Sequence, residues 1–145
     1  MIKTILSIMI IMVSTMNTVV ASPKGVLIEG IVAPFFSVQI ETTPAYIGTR
    51  GMAKAIFKPV EGFKWNKDYP TTFNIRDASS SIALLLTEEI NLMNGKVCVP
   101  YLGKEAGRIK VKGRINFSIC NEKECKIFRH EKITLTLIVS EKNEN

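Results

Sequence analysis

RIKVKGRINFSIC, residues 108–120, decides the fold class. Ile109, Val111, Ile115, Phe117 and Ile119 take one phase of a two-residue period, and Arg108, Lys110, Lys112, Arg114, Asn116, Ser118 and Cys120 take the other. Successive side chains of a strand point to opposite faces, so this spacing predicts one long strand with a core side and a solvent side. Gly113 interrupts the apolar phase and predicts a bulge or a close backbone approach. The row Arg108, Lys110, Lys112, Arg114 reads as the solvent side of an exposed strand, where charge also blunts a sheet edge against aggregation.

Working outward, the same pattern recurs. Ile133 to Val139 alternates, as does Phe36 to Glu41; Ala53, Ala55 and Phe57 share one face, opposite Lys54 and Lys58. Phe63 and Trp65 alternate with Lys64 and Asn66, and Phe73 and Ile75 with Asn74 and Arg76. Ile82 to Leu86 is continuously apolar, as in a strand buried on both faces; a short buried helix gives the same run. Asn94-Gly95, between Leu92-Met93 and Val97-Cys98-Val99, predicts a tight hairpin, because both residues tolerate positive φ. Asp77 to Ser81 reads as a loop, and the charged stretch EKNEN ends the chain. Short strands, frequent turns and no sustained helical period point to an all-β fold, an antiparallel β-sandwich formed by residues 22–145 as one domain.

Residues 1–21 read differently. Lys3 precedes the apolar run Ile5 to Val13, a polar bridge follows, and Val19-Val20-Ala21 offers small or β-branched residues where a signal peptidase reads. That order is a cleaved secretory signal peptide. A membrane span needs about 20 continuous apolar residues, and Ser14, Thr15, Asn17 and Thr18 interrupt this run. The expected address is periplasmic or otherwise exported, with no stable membrane insertion after cleavage. A retained anchor is the competing reading.

The chain of 145 residues carries 19 Lys and Arg against 13 Asp and Glu, a formal charge of +6. Its one basic row has no aromatic residues between the cations, so nucleic acid is not the expected partner. No cofactor-binding pattern is present, and three cysteines with one histidine at these spacings make no zinc signature. His130, in F-R-H-E-K, reads as a surface strand residue, and Glu88-Glu89 as a solvated pair.

The cysteines carry what chemistry there is. Cys120 sits on the polar phase at the end of its strand, where a core thiol would not be. Asn121-Glu122-Lys123-Glu124 separates it from Cys125, so a four-residue loop makes the two the closing pair of a hairpin, within disulfide reach. A bond closing so short a loop contributes only about 2 kcal/mol of chain entropy, yet a bond at an exposed tip is open to in-line thiolate attack. Lys123, Lys126 and Arg114 would favour a thiolate there, and Glu122 and Glu124 would oppose it. Spacing alone leaves a structural staple and an exchanging dithiol both open. Cys98, between Val97 and Val99, reads as a buried, inert thiol; as the odd cysteine it could also pair between chains or reshuffle.

Two stretches, AKAIFKPVEGFKWNKDYPTTFNI and VCVPYLGKEAGRIKVKGRINFSICNEKECKIFRHEKITLTLIV, together resemble the amino-terminal periplasmic domain of the bacterial transmembrane thiol:disulfide interchange protein. The resemblance covers about residues 50–139 and rests on three features in order: the turn Val60-Glu61-Gly62-Phe63-Lys64-Trp65, the Ala106-Gly107 turn that starts a long strand, and the cysteine pair followed by a last alternating strand. It implies an immunoglobulin-like sandwich in which Cys120 and Cys125 form the redox pair. That pair would receive reductant from an inner-membrane partner and pass it to exported thiol proteins. Lys126-Ile127-Phe128 stands where that family commonly has an aromatic or apolar residue and prolines. The family's aromatic cap over the cysteines has no counterpart between Arg76 and Lys96, a stretch without aromatic residues. The alternative is an envelope sandwich that binds or supports without catalysis, its disulfide purely structural.

Overall fold

A computed structural model describes residues 20–21, 27–76 and 80–141 of the chain. The signal-peptide reading falls outside them except at Val20–Ala21, as do most of the Asp77–Ser81 loop and the tail beyond Glu141. Among the described residues the strands are β1 (Val20–Ala21), β2 (Leu27–Val32), β3 (Phe36–Thr43), β4 (Ala45–Tyr46), β5 (Arg50–Pro59), β6 (Lys64–Trp65), β7 (Thr72–Arg76), β8 (Ala83–Leu85), β9 (Asn91–Met93), β10 (Lys96–Gly103), β11 (Gly107–Cys120) and β12 (Cys125–Ser140). One 3-10 turn, Thr87–Glu89, is the only helical element among them. No helix among them is long and apolar enough to cross a membrane.

Two sheets pack face to face, as the alternating patterns require. The first has the order β1-β2-β3-β5-β10-β8, with β9 also on β10. The second has the order β4-β12-β11-β6, with β7 also on β11. Pairings are antiparallel except β4 with β12. The predicted phases hold. Phe36, Val38, Ile40, Ala53, Ala55, Phe57, Val97 and Val99 of the first sheet meet Val111, Ile115, Phe117, Ile119, Ile133, Leu135 and Leu137 of the second, all buried. Thr42 and Tyr101 join the sheets with hydrogen bonds. The Thr42 hydroxyl donates to the Thr136 carbonyl at 2.6 Å, and the Tyr101 hydroxyl lies 2.9 Å from the Ile138 carbonyl while accepting the Ile138 N–H at 3.3 Å. Both close backbone groups on the β12 edge that faces away from β11, where a bare edge would leave buried polar atoms unpaired.

The tip end of β11 is held by aromatic rings. Phe117 stacks on Trp65 (centroids 5.0 Å apart, planes 4° apart) and on Phe128 (4.9 Å), and meets Phe36 edge-on at 5.2 Å. Pairs of this kind add about 0.5–1.5 kcal/mol each beyond the area they bury.

Several expectations are corrected. The Ile82–Leu86 run is not buried on both faces: β8 alternates, with Ala83 and Leu85 buried and Leu84 46% exposed. Only one face of this sheet has a partner sheet, so only one phase can be covered. The basic row does not guard a free edge along its whole length, because β7 pairs with β11 from Lys112 to Asn116. Gly113 marks a close approach and not a bulge, since a Cβ there would run into the Phe73 ring of β7. Asn94 and Gly95 do form the predicted turn between β9 and β10, with φ of 47° and 79°.

Candidate functional site

The bulge lies elsewhere, and it sets the cysteine geometry. Along most of the β11–β12 ladder Gly107 faces Val139 and Ile115 faces Glu131, but past the irregularity Phe117 faces Phe128. Asn116 therefore opposes two residues, Arg129 and His130. His130 takes φ of 56°, a left-handed conformation that a non-glycine residue adopts at some cost. Asn116 steadies the irregularity, accepting the His130 N–H on Oδ1 at 2.7 Å and donating from Nδ2 to Thr72 at 2.8 Å. The extra residue shifts the register by one. Cys120 consequently faces Cys125; an unbroken ladder would set it against Lys126 and turn Cys125 to the other face.

The two cysteines close the hairpin as a disulfide, with sulfurs 2.07 Å and Cα atoms 4.0 Å apart. The loop is tight. The Asn121 N–H donates to the Glu124 carbonyl at 2.9 Å, and Asn121 Oδ1 accepts the N–H groups of Lys123 at 2.9 Å and Glu124 at 2.7 Å. This Asx arrangement fixes the turn with one side chain. Cys120 is half-buried and Cys125 exposed. They differ because β11 lies between β12 and β6 at this point, with Lys64 the cross-strand neighbour of Cys120, whereas the other edge of β12 at Cys125 pairs with no described strand.

Two of the three cations the sequence suggested, Lys126 and Arg114, do not sit beside the sulfurs. Lys126 lies on the opposite phase from Cys125. Its ammonium sits 4.2 Å over the Phe35 ring and 3.7 Å from the Glu124 carboxylate. Arg114 is three same-face positions back along β11 from Cys120. Lys64 is the cation directly opposite Cys120 on the neighbouring strand, and directly opposed side chains have Cβ atoms about 4.5–5.5 Å apart. Nothing local in the sequence marks Lys64, whose partner stands 56 positions later.

Apolar groups flank the tip. Ile127, paired with Ser118 beside the disulfide, is 51% exposed. Phe35, 37% exposed in the turn between β2 and β3, packs on Phe63 and Phe128. The doublet Phe35-Phe36 after Pro34 was the available signal for an aromatic residue at a loop tip. The stretch Ala83 to Met93 lies with the first sheet, as β8 and β9, and forms no cap over the pair.

Cys98 is not buried. Val97 and Val99 occupy the inward phase of β10, so the thiol lies half-exposed on the outer face between Lys54 and Asn91. Ser118, on the outward phase, is buried because the segment after β6 crosses it, the Asn66 N–H donating to its carbonyl at 2.9 Å. His130 and the Glu88-Glu89 pair are exposed, with Glu89 paired to Arg50. No cluster of three metal-ligating side chains occurs among the described residues. No family model, curated protein or solved structure matches the chain.

Proposed function

We propose that the chain is an exported thiol–disulfide exchange domain, relaying reducing equivalents between protein thiols through Cys120 and Cys125. One observation carries this reading: the disulfide closes an exposed hairpin tip, with Cys125 on a strand edge that no described strand covers. The resemblance to the periplasmic domain of the thiol:disulfide interchange protein supports it, and the two-sheet antiparallel sandwich is compatible with the immunoglobulin-like arrangement that resemblance implies.

The reaction runs in two steps. A thiolate of a partner dithiol attacks the Cys125 sulfur along the S–S axis; the bond breaks, and its electron pair leaves on Cys120 as a thiolate. Lys64 offsets that charge, and a better-stabilised leaving thiolate departs faster. The partner's second thiol, deprotonated, then attacks the mixed disulfide and releases Cys125 as the second thiolate. The partner is oxidised to its disulfide and the pair is reduced by two electrons. In the forward relay the reduced pair attacks a substrate disulfide in the same manner. Ile127 and Phe35 give the partner an apolar footing beside the sulfurs.

The second reading, a non-catalytic envelope sandwich, draws on a cleft of about 320 Å³ between the β9–β10 turn and the segment after β6, lined by Trp65, Tyr69, Leu92, Met93, Lys67 and Lys96. The midpoint potential of the pair separates the two. Measured by thiol trapping in the Cys98→Ser chain, it is expected at about −180 to −270 mV, the range of exchange proteins. A bond that stays closed well below about −300 mV is structural and overturns the exchange reading.

A further inference from the structure

Along the stretch of β11 that runs away from Cys120, the outer face of the second sheet carries charge of one sign only. Its outward positions on β7, β11 and β12 include Arg76, Arg108, Lys110, Lys112, Arg114 and Lys132. The other outward residues of β7, of β11 as far as Ser118 and of β12 from Lys132 onward are Thr, Asn, Ser and Ile, of which Ser118, Thr136 and Ile138 are buried; none is acidic. Ion pairs among the described residues join Arg50 with Glu89 and Lys126 with Glu124, and none reaches this face. The register also sets like charges directly against each other, Lys112 opposite Arg76 and Arg114 opposite Lys132. Directly opposed like charges destabilise a sheet, and no ion pair among the described residues offsets this repulsion.

We infer that this face docks on an anionic lipid surface. Charge complementarity requires a polyanion, and the geometry selects among polyanions. Same-face residues on a strand repeat at about 6.6–6.8 Å and neighbouring strands lie about 4.8 Å apart, so the cations form a flat array that meets many headgroup phosphates at once. The array holds no aromatic side chain to stack a base, and no helix or projecting ribbon to enter a duplex groove. The reading of residues 1–21 as an export signal also puts membrane, not nucleic acid, within reach. Each cation held near an anionic leaflet contributes about 1 kcal/mol, weakened by salt.

The test is flotation of the exported protein with vesicles of phosphatidylcholine alone or with about 30 mol% phosphatidylglycerol. Binding is expected only to the anionic vesicles, lost at about 0.5 M salt, and weakened more than about tenfold by Lys110→Glu with Lys112→Glu. The same double variant is expected to melt at an unchanged or higher temperature, since it removes the Lys112–Arg76 repulsion, and this separates a lost surface from a lost fold. Equal binding to both vesicle types, as a retained apolar amino terminus would give, overturns the proposal. So does undiminished binding by the variant. Capture by polyglutamate or heparin without binding to anionic vesicles assigns the face to an acidic macromolecule and overturns the lipid assignment.

Discussion

Lys64 is the one cation whose side chain shares a face and a cross-strand position with Cys120. Reduction of the pair expels a thiolate at Cys120, so reversing that charge raises the barrier. Lys64→Glu is expected to slow reduction by a small dithiol about 3- to 30-fold, with the thermal midpoint of the oxidised protein little changed, since exposed single charges contribute little to stability. Stopped-flow reduction followed by thiol trapping reads this directly. A rate that does not move assigns the leaving group to Cys125 and reverses the order of attack. Tyr101 makes a different residue-scale claim. Its ring is fully buried, and its hydroxyl serves both the N–H and the carbonyl of Ile138. Burial pushes this phenol above the ordinary tyrosine value of 10.0, against the smaller opposing effect of its backbone hydrogen bonds. The unfolded chain releases the Tyr101 proton first as pH rises, so this contribution to stability is complete below pH 10 and is lost progressively above it. Tyr101→Phe is expected to cost about 1–3 kcal/mol at neutral pH by stranding the Ile138 groups, and to flatten the alkaline fall seen in denaturant melts across that range.

The bulge in β12 shows the weight that one residue carries in an element. Deleting His130 removes the extra residue, so the ladder runs unbroken with Arg129 opposite Asn116 and Cys125 still opposite Cys120. The deletion variant is expected to form the disulfide as completely as the parent chain, read by thiol alkylation, with Phe128 kept in its stack on Phe117. His130→Gly is expected to keep the disulfide and the fold, because glycine accepts a φ of 56° without strain. If the deletion leaves Cys120 and Cys125 open to alkylation, the extra residue does more than take up the register difference between the two halves of the ladder. Alternation made most of the elements legible. β3, β5, β11 and β12 follow from period-2 runs, and the β9–β10 turn follows from Asn94-Gly95. The bulge was not legible because its left-handed residue is a histidine, and neither neighbour is a glycine to mark it. Lys64 was missed because the β6–β11 pairing joins segments far apart in sequence, which no local pattern encodes. Cys98 was misjudged although the signal was present: with Val97 and Val99 both inward, alternation already turned the thiol outward.

At the scale of the molecule, the question is how much the fold depends on its disulfide. The β11–β12 ladder, the stack of Trp65, Phe117 and Phe128, and the Asn121 turn hold the hairpin without it. Breaking so short a loop is expected to cost only about 2 kcal/mol. The Cys120→Ser, Cys125→Ser chain should therefore melt cooperatively, about 5–10 °C below the oxidised protein. A relay domain requires this, because it has to stay folded in both redox states. The same number constrains the chemistry. Whatever free energy the bond gives the fold, the fold returns to the bond, and about 1.4 kcal/mol corresponds to about 30 mV for a two-electron couple. A stabilisation of about 2 kcal/mol thus lowers the potential by only about 45 mV relative to the unfolded dithiol, whereas about 5 kcal/mol lowers it by more than about 100 mV. The melt and the redox titration must agree through this relation. A double-serine chain that fails to fold would make the bond a structural staple and rule out the relay, whatever the accessibility of Cys125.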